Sequence, residues 1–251
     1  MEFVKVQGLG NDFVVIDGPA EPRPDAVIRW CDRRFGIGAD GVLVISPVDP
    51  GRISMRYWNA DGSEAEMCGN GLRCVARLAY DRGWVSSTEF VVETAAGDLP
   101  VEILDAGMVR ALVGNPTVPG PAAEVAGVAV HPILVGNPHA VVFVDDLLSA
   151  PVATLGPRIE NDGLFPGRAN VEFVSVLGKQ SIAMRIWERG VGETMASGTG
   201  ATAAAFAASM YRRVVAPVDV SLPGGTLTIE LVDDQAWMVG PGETVYSGRI
   251  D

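Results

Sequence analysis

The chain has 251 residues, 48% of them apolar, and a formal charge of -12. That length suits one large domain or two smaller ones, and so acidic a surface repels phosphate backbones and argues against nucleic-acid binding. Lys5 and Lys179 are the only lysines and neither sits in a motif-rich stretch, which disfavours a pyridoxal-phosphate Schiff base. The three cysteines, Cys31, Cys68 and Cys74, form no metal-type CxxC pair. No segment reads as a signal peptide, and the longest apolar runs are far too short to span a membrane, so a reduced cytoplasm is the expected compartment.

In chain order, short β-branched runs predict strands over 3–6, 14–17, 42–45, 55–58, 90–94, 101–104 and 108–113. A second series follows over 128–135, 140–144, 171–176, 183–187, 218–221, 226–231 and 236–239. Two longer segments, about 71–82 and 200–211, read as helices. The second carries Ala201, Ala203, Ala204, Ala205, Ala207 and Ala208, a small-sided surface suited to enclosure by sheet. The Pro-, Gly- and Ala-rich stretch 115–126 separates the two series and reads as a linker.

Self-comparison shows an internal repeat. Laying 58–80 over 187–209 puts Trp58 on Trp187, Cys68-Gly-Asn-Gly on Ser197-Gly-Thr-Gly, and Ala76 on Ala205. Gly10-Asn-Asp-Phe likewise echoes Gly136-Asn-Pro-His, each before a Val-rich strand. The order predicts two pseudo-symmetric domains whose equivalent turns would meet across a cleft.

Each turn sets a small nucleophilic side chain before glycines that open a helix. Unpaired N–H groups and the positive end of the helix dipole make such a terminus a site for a carboxylate. A thiol placed there loses its proton more readily than one in water. Cys68 as thiolate could take a proton from a carbon between a carboxylate and an ammonium. A second acid at position 197 would return it on the opposite face. Backbone N–H groups would stabilise the charge that develops on the carboxylate. Cys74 lies inside the helix and reads as core, and Cys31 as structural. His131 has no polar neighbours in sequence; His139, in the repeat echo, is open to either a structural or a catalytic part.

The motifs GLGNDF at 8–13, GIGADG at 36–41, NADGSEAEMCGNGLR at 59–73, GNPH at 136–139, NVEFV at 170–174, ERGVGET at 188–194 and SGTGA at 197–201 follow one family's order. Along nearly its whole length the chain resembles the diaminopimelate epimerase family. The resemblance implies an α+β fold of two similar domains, each a mostly antiparallel sheet wrapped around a central helix. One would span 1–115 with a returning strand at about 243–251, and the other 116–242. It implies LL- and meso-diaminopimelate as substrates, interconverted without metal or cofactor, as a step of lysine biosynthesis in a homodimer. The catalytic set would be Cys68, position 197, His139 and Glu188. Asn11, Asn59, Asn137, Asn170, Glu188 and Arg189 match residues that hold the substrate. Gly69, Asn70, Gly198 and Thr199 match the backbone cradle of the reacting carboxylate.

One departure stands out: the family expects cysteine at 197 and this chain has Ser197, a far weaker acid. The chain could be an epimerase that works with serine, an epimerase whose cysteine has been substituted, or a relative that has lost one base and acts as a racemase or dehydratase of another amino acid. Gly41 stands where some relatives carry glutamine. Two readings from other classes also remain: a cysteine hydrolase pairing Cys68 with His139, and a binding protein without turnover.

Overall fold

The computed structural model describes residues 1–250. The chain forms two compact units, Met1–Leu112 with the segment from Gly240 onward, and Val113–Val239. The anticipated limits at 115 and 242 lie a few residues further along, and Asp251, the end of the anticipated returning segment, lies outside the described residues.

The first unit runs β1 (Glu2–Gly8), β2 (Asn11–Asp17), α1 (Pro24–Cys31), β3 (Gly41–Asp49), β4 (Arg52–Asn59), β5 (Glu64–Ala65), α2 (Gly69–Asp81), β6 (Glu89–Thr94), β7 (Gly97–Ile103) and β8 (Met108–Gly114). Neighbours pair antiparallel except β2 with β3 and β4 with β6, which are parallel.

The second unit repeats that order with β9 (Ala123–Val125), β10 (Val128–Val135), β11 (Asn137–Phe143), α3 (Val152–Glu160), β12 (Asn170–Gly178), β13 (Ser181–Glu188), β14 (Gly192–Thr194), α4 (Gly198–Arg212), β15 (Val218–Leu222), β16 (Gly225–Val232) and β17 (Gln235–Pro241). Here β11–β12 and β13–β15 are the parallel pairs. The last strand, β18 (Glu243–Arg249), returns to pair antiparallel with β1. It holds the place beside β1 that β9 holds beside β10.

Each unit is a three-layer object. The middle strands β2, β3, β11 and β12 each bury a run of at least four consecutive residues, because helices cover both faces. Val14, Ile16, Val42 and Val44 pack on the α1 side with Val27 and Trp30. Their alternate neighbours face α2, as Leu43 does where it meets Gly71. In the second unit Ala140, Val142, Val171 and Phe173 pack against Val152 and Ile159 of α3. The alanines of α4 are all buried, with sheet against the helix from β10 to β16.

The sequence reading missed α1 and α3. Helix α1 carries the usual signals, Pro24 at its first turn and Val27, Trp30 and Cys31 on one buried stripe. Helix α3 is masked by Gly156 and Pro157. A Cβ on Gly156 would stand 2.5 Å from the Trp187 ring, so the breaker is a packing requirement. The stretch at 115–126 is also more than a linker: Thr117 exchanges backbone hydrogen bonds with Leu134, and Ala123–Val125 is a strand. Its hydrogen-bond partners lie in the following strand, which composition alone does not reveal.

Candidate active site

The two repeat turns have nearly the same backbone. Cys68 is the residue before α2, with φ -137° and ψ 117°; Ser197 is the residue before α4, with φ -143° and ψ 123°. Their carbonyls accept the first helical hydrogen bonds, from Leu72 N–H at 2.8 Å and Ala201 N–H at 2.9 Å. In each case an extended residue meets a helix start, so the next N–H groups lack helical acceptors. The side chains behave differently. The Ser197 hydroxyl is buried and accepts from Gly200 N–H at 3.2 Å, capping α4. Cys68 makes no such cap and is half-buried.

Around Cys68 the structure gathers Asn11 and Asn70. Asn11 Oδ1 accepts from the Cys68 thiol at 3.7 Å and from Asn70 Nδ2 at 3.1 Å. The amide is held in that sense because its Nδ2 donates to Asp40 at 2.7 Å. Asp40 also accepts from Asp12 N–H at 3.1 Å and from Arg33 at 2.7 Å. Arg33 and buried Lys5 both pair with Asp12 at 2.7 Å, and Lys5 further donates to the Gly38 carbonyl. Burial pushes the Asp12 carboxyl up, but hydrogen bonds from Arg33 and Lys5 outweigh it and hold Asp12 below the ordinary carboxylate range. Asp40 lies in the GIGADG stretch and was not singled out as a site residue; an acidic residue after a glycine turn was the available signal. Gly69 follows Cys68 as the first helical residue. Asn59 is engaged in the β4–β5 hairpin, where Nδ2 donates to Ser63 at 3.0 Å.

All three cysteines are thiols. Burial pushes Cys31 up to about 11 and Cys74 up to about 12, so both stay protonated and inert as expected for core cysteines.

Around Ser197 the structure places His139 and a residue that sequence reasoning passed over, Glu172. Both side chains are completely buried, and His139 Nδ1 lies 2.6 Å from Glu172 Oε1. His139 Nε2 lies 2.8 Å from Asn137 Oδ1. A Cβ on Gly200 would stand 3.0 Å from Glu172 Oε1 and 3.1 Å from Ser197 Oγ, so carboxylate and hydroxyl flank the same helical turn. Burial pushes the Glu172 carboxyl up, against the pull of His139. The signal was Glu172 in the middle of the apolar NVEFV strand.

Asn170, Glu188 and Arg189 form a third group. Asn170 Oδ1 accepts from Arg189 N–H at 2.9 Å, and the Arg189 guanidinium donates to the Gly167 carbonyl at 3.1 Å. Glu188 accepts from the Thr194 hydroxyl across the β13–β14 hairpin. Buried Glu160 holds this turn from below, accepting from Trp187 Nε1 at 2.8 Å and Gly190 N–H at 2.9 Å. Gly198 and Thr199 open α4 after Ser197. Among the described residues no cluster of His, Cys, Asp and Glu could hold a metal ion, and no helix is long and apolar enough to cross a membrane.

Comparison with known proteins bears on these features. A family model described as diaminopimelate epimerase matches residues 3–119 and 132–247. The diaminopimelate epimerase of Moorella thermoacetica is 45% identical, covering 99% of this chain and 98% of that protein. That of Alkalilimnicola ehrlichii is 44% identical over 100% of this chain and 98% of its own. Among solved structures, a phenazine biosynthesis protein of the PhzF family from Enterococcus faecalis superposes with a TM-score of 0.76 at 12% identity, covering 100% of this chain and 98% of that one. A probable proline racemase from Agrobacterium radiobacter gives 0.73 at 16% identity, covering 100% and 92%. At such identities these structures speak to the fold alone.

Proposed function

The chain belongs to the diaminopimelate epimerase family, and on that premise we propose that it interconverts LL- and meso-diaminopimelate by moving the α-proton between two side chains. Membership makes it an isomerase, and the substrate follows from the names its relatives carry. The observation that carries the reading is the pair of matched helix starts, one bearing Cys68 and the other Ser197.

In the forward step the Cys68 thiolate takes the α-proton, the C–H pair of electrons passes into the enolate-like carboxylate, and a proton from position 197 reaches the opposite face. Backbone N–H groups of Gly69, Asn70, Gly198 and Thr199 would stabilise the developing charge. Asn11, Asn59, Asn137, Asn170, Glu188 and Arg189 supply the donors and acceptors that ammonium and carboxylate groups require, and His139 and Glu188 accompany the acid–base pair. The scheme calls on no cofactor. A cytoplasmic location, a homodimer and a role in lysine biosynthesis complete the proposal.

The test compares the chain with Ser197→Cys, following deuterium entry from solvent at the α-carbon of LL- and meso-diaminopimelate. Exchange that rises with the thiol supports two-side-chain transfer; the lack of both exchange and binding in both forms overturns the substrate assignment. One observation favours a second reading, binding without turnover: the Ser197 hydroxyl is already engaged as a helix cap. Calorimetric binding of meso-diaminopimelate with no α-proton exchange would establish it.

A further inference from the structure

Beneath the two repeat turns the halves of the molecule differ in a way the fold does not require. In the parallel pair β2–β3, Phe13 stands opposite Gly41, and Leu43 lies two residues beyond. In β11–β12, His139 stands opposite Asn170, and Glu172 lies two residues beyond. His139 and Glu172 therefore occupy the places of Phe13 and Leu43. All four side chains are completely buried, and Gly71 packs on Leu43 as Gly200 packs on Glu172. An apolar pair fills this position in one half, and a buried ionisable pair costs more than apolar residues of similar volume. The fold is thus satisfied without a carboxylate there.

Counting hydrogens shows what the pair does. Asn137 Oδ1 can only accept, so the hydrogen in its 2.8 Å contact belongs to His139 Nε2. The 2.6 Å contact between His139 Nδ1 and Glu172 Oε1 must also contain a hydrogen, since two bare acceptors would repel. Between them the pair holds one proton more than a neutral imidazole facing a carboxylate. Glu172 Oε2 has no hydrogen-bond partner, and besides a hydrogen bond from its own backbone N–H, His139 is the one ionisable group that favours a charge on this fully buried carboxyl.

We propose that Glu172 is a positioning residue: it shares one proton with His139, fixes a hydrogen on Nε2, and so turns the Asn137 amide to leave its N–H2 end for a carboxylate of the substrate. Asn11, the repeat counterpart of Asn137, is locked in the opposite sense. Its N–H2 end is held by Asp40 and its carbonyl faces the Cys68 thiol. Of the two echoed asparagines, one thus turns an acceptor to the thiol and the other has its acceptor taken by His139 and its donor end left over. The inference rests on the proposed amino-acid substrate only for the identity of the group that Asn137 meets.

The experiment is ¹⁵N NMR of the histidine rings in the whole protein. The sequence holds two histidines, so His131→Gln leaves His139 as the single ring signal. The expected spectrum at neutral pH has Nε2 protonated, with a strongly deshielded proton on the Nδ1 bond. A bare Nε2 at neutral pH overturns the proposal. Glu172→Gln, whose amide can donate to Nδ1, keeps the Nε2–H form and calorimetric affinity for meso-diaminopimelate within about twofold. Glu172→Leu releases the tautomer and weakens that affinity about tenfold, as for one lost hydrogen bond to a charged group. Unchanged affinity in a folded Glu172→Leu protein also overturns it. If Glu172→Leu does not fold, the native spectrum and Glu172→Gln still decide. Should the native chain fail to bind diaminopimelate at all, the functional reading falls while the ring spectrum continues to judge the shared proton.

Discussion

The Cys68 turn rests on Phe13 and Leu43, while the Ser197 turn rests on His139 and Glu172. The two helix starts share a backbone to within a few degrees, yet one presents a half-buried thiol above an apolar floor and the other a buried, capping hydroxyl above a proton-holding pair. The two halves share a backbone symmetry that their side chains do not. The backbone of a helix start is set by local geometry, which a repeat carries over intact; the chemistry depends on a few side chains that can diverge without disturbing it.

The largest effect is expected from removing the thiol. Cys68→Ala should lower α-proton exchange by about 10³ to 10⁴, in the range for loss of a positioned acid–base group, while circular dichroism stays native. Similar exchange in both proteins would end the claim that the Cys68 turn is the more reactive one. Next, Ser197→Cys should raise exchange by about 10², with the thiol replacing a weaker acid; a serine form already as fast as the cysteine form would show that the asymmetry of the turns has no chemical consequence.

The floor can be made symmetric. Joint replacement of His139 by Phe and Glu172 by Leu should leave the protein folded and more stable by about 1 kcal/mol or more in urea unfolding, and should weaken diaminopimelate binding. A loss of stability instead would show the pair to be structural. The glycines should differ in the same sense. Gly200→Ala drives a methyl to 2.6 Å from Ile186 and 3.0 Å from Glu172 and should cost about 1–3 kcal/mol. Gly71→Ala meets the Leu43 methyls at 3.2 Å, and the gain in helix propensity, up to about 1 kcal/mol, should nearly cancel the crowding.

The smallest effects concern pH, and the two halves should pull in opposite directions. Asp12 is held below the ordinary carboxyl value of 3.8, so its contribution is present above about pH 4 and is lost as the pH falls through the depressed folded value. Glu172 is raised above 4.5, so the unfolded chain loses a proton first and stability declines as the pH rises from there toward the folded value. In urea midpoints measured from pH 3 to pH 8, Lys5→Met should flatten the first slope and Glu172→Gln the second. Unchanged slopes would mean that neither carboxylate is linked to folding.

Much of this was readable in one dimension. The strand series, the helices α2 and α4 and the turns at Cys68 and Ser197 came from periodicity and glycine spacing, which are local properties. The alanine-rich helix was legible as an enclosed one because small side chains on every face let strands approach closely all round. Helix α3 was not, since Gly156 and Pro157 signal a break and only the Trp187 ring explains the glycine. Asp40, Glu160 and Glu172 were passed over because each acts through a neighbour far along the chain.

The linear order of residues was enough to establish the repeat and the helix starts, because each is carried by residues close together in sequence. It could not say which end of an asparagine amide faces the thiol, or that a glutamate in an apolar strand meets a histidine 33 residues away. Those depend on the parallel registers of β2 with β3 and β11 with β12. A shift of one residue in either would turn every side chain to the other face of the sheet, and only the folded unit fixes that register.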